Sequence, residues 1–181
     1  MAPKPSKIVG KCRKKDVDIS ETFDKIKAEG GVITDGSHIE NGKLKPNVTY
    51  QTGEHEYLYQ TNSDGLIAFV YVKDLLLKIH EGRLKHKRNT GGKQAGDHAG
   101  HLIGDQFGGS ADLDNLVSQA ALVNLSAYKK IENQWAAAKK ANKTVSVRIA
   151  VNYESGSARP ISFTIESVID TVYRKNDIKN S

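Results

Sequence analysis

Cysteine is almost absent: Cys12 is the only one in 181 residues. No intrachain disulfide is available and a zinc site built on paired thiolates is excluded, so stability must come from packing, with or without a bound metal. Long apolar runs are missing too. No stretch approaches the ~18 apolar residues of a membrane-spanning helix, and the leading MAPKPSKIVGKCRKK lacks the apolar segment of a cleavable signal peptide. The expectation is no membrane partner, with any export address lying outside these residues. The Pro- and Lys-rich lead after Met1 suits a piece of a longer protein. Acids are scarce, 21 against 27 Lys and Arg, and the formal net charge of +6 points to a polyanionic partner. The mean hydropathy of -0.52 implies a modest core, and the length suits one domain. Repeats and low-complexity blocks are absent.

What is present reads as α+β. Residues 1–45 are expected to be an N-terminal extension, partly disordered or loosely docked, with Asp18 and Glu21 spaced as a helix-capping pair before an Ile19, Phe23, Ile26 stripe. Residues 46–175 form the main domain. Asn47–Gln51, Glu56–Thr61 and Leu66–Val72 are rich in β-branched and aromatic residues, with the turn signal Asn62-Ser63-Asp64-Gly65 between the last two. Thr144–Tyr153 and Ile161–Ile169 read as a second hairpin. One principal helix is expected from about Leu125 to Ala141, with Tyr128, Ile131 and Trp135 facing the sheet. Tyr173–Ser181 is charged and expected to fray, with residues 176–181 as a tail. Between the strands and this helix lies a long basic loop, where Lys78, Arg83, Lys85, Lys87, Arg88 and Lys93 face the single acid Glu81. Loops this long in compact domains are usually functional or disordered.

The stretch GDHAGHLIGDQFGGSADLDNLVSQAALVNLSAYKKIENQW, Gly96–Trp135, carries the chemistry. Phosphodiester hydrolysis needs a base for the attacking water, neutralisation of transition-state charge and help for the departing oxygen. One histidine and one hydrated divalent cation can supply all three. Mg2+ keeps most of its waters, so a single amide oxygen such as that of Asn124 can anchor it. Each residue also has an ordinary explanation: His101 as a packed histidine beside Leu102 and Ile103, Asn124 as a helix N-cap, Glu132 as an exposed helix glutamate. Glu132 lies about 12 Å of helix rise beyond Asn124, so it suits an outer-shell role and not a shared inner shell.

This stretch resembles the signature of the DNA/RNA non-specific endonucleases of the ββα-metal (His-Me finger) superfamily, and is most similar to the branch holding streptococcal secreted DNases and the C-terminal nuclease toxins of LXG and other type VII-secreted polymorphic toxins. The resemblance implies that Gly100-His101 is the end of the family's Asp-Arg-Gly-His motif, with His101 the general base. It further implies that Asn115 supports the site, Asn124 binds Mg2+ (Mn2+ as a substitute) and Glu132 is the outer-shell glutamate. The implied substrate is DNA, or RNA in its place, with little sequence preference and with 5′-phosphate and 3′-hydroxyl products. The implied setting is a secreted effector acting in the cytoplasm of a target cell and met by an acidic immunity protein over the basic loop.

Two departures stand out. His98 and Ala99 replace the motif's Asp and Arg, and Ala136 stands where some relatives carry an arginine four residues after the glutamate. The phosphate-gripping role is expected to pass to Arg88, helped by Arg83, Lys87 or Lys129, with His98 as a further phosphate contact or a plain loop histidine. A basic module that binds nucleic acid without cutting it, or an α+β domain docking an acidic protein, are the competing expectations.

Overall fold

The computed structural model describes residues 10–11 and 18–181. In chain order the elements are β1 (Gly10–Lys11), α1 (Ile19–Glu29), β2 (Ile39–Glu40), β3 (Lys43–Leu44), β4 (Thr49–Thr52), β5 (Tyr57–Thr61), β6 (Ile67–Val72), β7 (Asp97–His101), β8 (Leu116–Ala120), α2 (Tyr128–Lys140), β9 (Val145–Tyr153), β10 (Pro160–Ile169) and β11 (Val172–Lys179). A short 3-10 turn at Asp105–Phe107 lies between β7 and β8, and a π-helical turn at Val123–Ala127 runs directly into α2.

Alternation builds the main sheet. In β9, Val145, Val147, Ile149 and Val151 are buried on one face, and in β10, Phe163 and Ile165 stand beside Val151 and Ile149 on that same face. Seven antiparallel strands result, in the order β1-β11-β10-β9-β6-β5-β4, while β2 with β3 and β7 with β8 form separate two-stranded ribbons. On the valine face sits α2, whose Tyr128, Ile131, Trp135 and Ala138 recur at helical spacing and are buried. Trp135 meets Phe107 edge-on at 6.2 Å, and Tyr128 meets Phe163 at 5.9 Å. The opposite face receives α1, with Ser20 Oγ 3.4 Å from Ser146 Oγ. As its sequence suggests, α1 is capped by Asp18, which accepts from the Glu21 N–H at 2.9 Å. The Asn62 turn also forms, its side-chain oxygen accepting from the Asp64 and Leu66 N–H groups at 3.0 Å.

Two terminal expectations need correction. Residues 18–45 are folded onto the body: Ile19 and His38 are buried, Ile33 bridges to Tyr50, and His38 Nε2 lies 2.9 Å from Asp114 Oδ2. Residues 1–9 and 12–17, the rest of the expected extension, lie outside the described residues. The charged C-terminal tail does not fray. It forms β11 along β10, because its polar residues alternate at a sheet position with one open face. Buried Asn180 then donates to the Ser118 and Pro160 carbonyls at 2.9 and 2.7 Å and accepts from the Ala120 N–H at 2.8 Å, tying the tail to β8. Lys73–Ile79 forms neither strand nor helix, and the chain from there to Gly96 is an irregular strap.

Candidate active site

The Gly96–Trp135 stretch folds as strand, strand, helix. β7 and β8 pair with His98 opposite Gln119 and His101 opposite Leu116, and α2 follows. Three contacts then occur in the same order along β7 with the residues just after it and along the helical segment. Asn124 Nδ2 donates to His98 Nδ1 at 3.1 Å, Tyr128 donates its hydroxyl hydrogen to the Leu102 carbonyl at 2.8 Å, and the Glu132 carboxyl packs on Gly104. A Cβ at residue 104 would meet Glu132 Oε1, so a larger residue there would displace the carboxyl. His101 ends β7 between the first and second of these contacts. Its backbone therefore runs alongside Asn124 and Tyr128.

Asn124 is not the N-cap its position suggested. It lies inside the π-helical turn, which carries no side-chain cap, and its amide faces the strand. Such turns insert one extra residue and re-aim a side chain, and they concentrate at functional sites.

His101 is half-buried, and burial, followed by the neighbouring His86 and Arg83, lowers its pKa to about 4 against the opposing pull of Asp105. It is neutral at pH 7 and has a free base to offer. The His86 ring stands edge-on to it, centroids 4.9 Å apart. Burial raises the Glu132 pKa to about 7, opposed by Lys129, the Gly104 N–H and Arg83. Its Oε1 is buried without a hydrogen-bond partner. An acceptor in that state fits a hydrogen donor from an incoming group.

Asn115 holds the turn that follows His101. Its Nδ2 donates to the Ile103 and Ser110 carbonyls at 2.8 and 2.9 Å, and its Oδ1 accepts from the Tyr59 hydroxyl at 2.8 Å and the Ile103 N–H at 3.0 Å. Behind it, Tyr59 stacks on Tyr50 at 5.3 Å and Tyr50 on His38 at 4.1 Å.

Comparison with known proteins places this arrangement. Residues 46–171 match the DNA/RNA non-specific endonuclease family. The chain belongs to that family. The chain is 35% identical over 136 residues, 71% of its length, to the type VII secretion system protein EssD of Staphylococcus aureus strains USA300 and NCTC 8325 / PS 47. It spans only 22% of those relatives' length. A solved structure of Sda1 nuclease with bound zinc ion aligns with a TM-score of 0.45 at 18% identity, over 48% of this chain and 40% of the other.

Membership of the non-specific endonuclease family gives a basis on which the chain's cations can be sorted. Arg83 is the one whose charge acts on His86, His101 and Glu132 alike. Arg88 acts on His86, Lys129 acts on Glu132, and Lys87 is paired with Asp112 at 2.8 Å. Arg83 is thus the strap cation whose charge reaches both His101 and Glu132. Ala99 and Ala136 are buried. Beside Ala99 the strap closes over β8, with Thr90 Oγ1 2.7 Å from Ser118 Oγ and Ser118 donating to the Gly91 carbonyl at 2.8 Å. The strap therefore packs where the family's arginine would leave β7.

Sequence reading missed His86, Asp105 and Gly104. His86 and Asp105 come from the strap and the turn after β7, which no periodicity connects. Gly104 carried a signal, a glycine three residues after the histidine in a strand-like run. Among the described residues no group of three or more His, Cys, Asp or Glu can hold a metal, so any cation here has few protein ligands. Asn124, which presents an amide beside a lone-pair nitrogen, together with the orphaned Glu132 Oε1, fits a largely hydrated ion.

Proposed function

We propose that this domain is a Mg2+-dependent endonuclease with little sequence preference, cutting DNA, or RNA in its place, with Mn2+ able to substitute. The observation that carries the reading is the ordered set of contacts from His98–Asn124 to Gly104–Glu132, which lays the strand bearing a neutral histidine along an amide-bearing helical turn. Asn124 would hold the ion, which when bound supplies Lewis-acid neutralisation of the scissile phosphate and of the departing oxygen.

The remaining work falls to the chain itself. His101, held neutral, accepts a proton from water as that water's oxygen bonds to phosphorus; the P–O3′ bond breaks and the departing oxygen takes a proton from solvent. Asn115 fixes the backbone that follows the base. Arg83, with Arg88 and Lys129 nearby, neutralises the phosphate, and His98 lies at its margin. Contacts of this kind read phosphate and sugar, which supports low sequence preference and strong salt dependence. The similarity to EssD supports a toxin domain of a type VII-secreted antibacterial effector, acting in a target cell's cytoplasm. An acidic immunity protein covering the strap from Lys78 to Lys93 would then block the site.

Supercoiled DNA and RNA, each incubated with Mg2+, Mn2+ or chelator, test this directly. His101→Ala should lower the Mg2+-dependent rate by about 10²–10⁴-fold. Unchanged cleavage by that variant would overturn the role of His101. The burial of Ala99 and Ala136 in place of arginines favours a second reading, a module that holds nucleic acid without cutting it. Salt-sensitive binding with no metal-dependent cleavage by the wild type would establish it.

A further inference from the structure

His86 has no part in the cleavage described above, yet it stands against the candidate base. Its ring meets that of His101 edge-on with centroids 4.9 Å apart, and among the described residues neither ring makes a hydrogen bond. Every other residue from Glu81 to Asn89 is exposed, whereas His86 is half-buried. The strap therefore turns this one side chain in upon His101.

The charges that face His86 come from three elements. Arg83, Arg88 and Lys93 belong to the strap, His101 ends β7, and Asp105 lies in the turn after it. Partial burial, then Arg83, Arg88 and Lys93, lowers the His86 pKa against the pull of Asp105. In the empty site three cations thus surround a ring that has no acceptor for an N–H. A phosphodiester reverses both conditions, since its negative charge offsets the cations and its free oxygens accept hydrogen bonds from a charged ring. A proton on His86 also lowers the pKa of His101, which keeps the base neutral.

We propose that His86 is a phosphate contact of this site: it takes up one proton from solvent as a backbone phosphodiester settles among Arg83, Arg88 and Lys93, and donates an N–H to a non-bridging oxygen beside His101. The inference rests on the nuclease reading for placing a nucleic acid here. It supplies from the strap a charge-assisted donor where Ala99 and Ala136 offer none.

The test is calorimetric titration of the whole domain with a short DNA duplex, and with RNA of equal length, in chelator and in buffers of different ionisation enthalpy. Wild-type binding should take up protons between pH 6 and 7.5, with affinity rising by up to about tenfold per unit as the pH falls. His86→Gln should lose that uptake and bind about tenfold more weakly at pH 6. His86→Arg, a fixed cation, should bind as tightly as the wild type at pH 6 and show no uptake, a rescue that a ring serving only to pack on His101 would not allow. With Mg2+ present, the effect of His86 on cleavage should appear in KM and not in the rate at saturating DNA. Uptake unchanged in His86→Gln, or affinity not restored by arginine, would overturn the contact and leave the nuclease reading standing. Proton-coupled binding without metal-dependent cleavage would overturn the nuclease reading and keep the contact, and no binding of either nucleic acid would overturn both. Should a variant fold poorly, the wild-type His86 imidazole resonance decides: its titration should move to higher pH when DNA is added, and an unmoved midpoint would overturn the proposal.

Discussion

Residues 102–115 and residues 73–96 both border the candidate site without regular strands, yet they are held by different bonds. The first segment is closed from within. Asn115 ties its two ends together, the Leu102 N–H donates to the Asn115 carbonyl at 2.9 Å, and Tyr50 donates to the Asp114 carbonyl at 2.7 Å. The second carries, beside neutral bonds such as Ser118 to the Gly91 carbonyl, a set of contacts to carboxylates of its neighbours. Glu54 accepts from the Ile79 N–H at 2.7 Å, Asp105 accepts from the Leu84 N–H at 3.0 Å and pairs with Lys78 at 3.2 Å, and Asp112 pairs with Lys87. Buried neutral bonds fix one geometry and are costly to lose, whereas exposed ion pairs are weak and screened by salt. The candidate base His101 thus adjoins the first segment, and Arg83 and Arg88 lie on the second.

The largest expected effect comes from breaking the fixed segment. Asn115→Ala leaves the Tyr59 hydroxyl and the Ile103 N–H buried without partners, at a cost of about 3–5 kcal/mol of unfolding free energy. Denaturant titration measures it, and activity should fall in step because Ile103 follows the base by two residues. A loss below about 1 kcal/mol would mean that other contacts hold the turn.

Next comes the strap. Arg83→Ala should lower kcat/KM by about 10–100-fold, with stability unchanged to within about 0.5 kcal/mol because the residue is exposed. Arg88→Ala should do less, about threefold, since its charge acts on His86 but not on His101 or Glu132. Equal losses in the two variants would erase the distinction between these cations.

Glu132 links the regions, since both Gly104 and the strap's Arg83 act on it. Its folded pKa is raised to about 7 from 4.5, so its ionisation opposes folding. That penalty is absent below about pH 4.5, grows as the pH rises towards 7 and is constant above. Glu132→Gln should therefore stabilise the fold by about 1–2 kcal/mol at pH 8 and leave it nearly unchanged at pH 4. Thermal unfolding at the two pH values reads the difference, and equal shifts at both would reject it.

This contrast also explains what the sequence disclosed. Fold signals that act within one element were legible: the valine alternation of β9, the Tyr128–Ile131–Trp135 stripe, the Asp18 cap, the Asn62 turn. His101, Asn115 and Asn124 could be singled out as candidates because their spacing sits inside one contiguous module. The tail was misread because β11 depends on the β10 edge it pairs with, and residues 18–45 because their burial depends on the sheet and on Asp114. His86 and Arg83 reach the site only through a strap whose path is set by Glu54, Asp105 and Asp112, and no local pattern encodes such a path.

The smallest expected effect is a flat line. An ordinary histidine base near pKa 6.5 would lose activity below about pH 6.5. Burial and the cations around His101 lower its folded pKa to about 4, so the rate of metal-dependent cleavage should hold from pH 8 to about 5.5 and decline only near 4–5. Arg83→Ala removes one of the charges that lower it and should move that decline upwards, whereas Arg88→Ala should leave it in place. The groups facing His101 are His86, Arg83 and Asp105, and replacing Asp105 by Asn should move the decline the opposite way. A wild-type profile that breaks near 6.5 would mean that His101 is as exposed to water as the strap beside it, and the contrast between the two segments would not extend to the base.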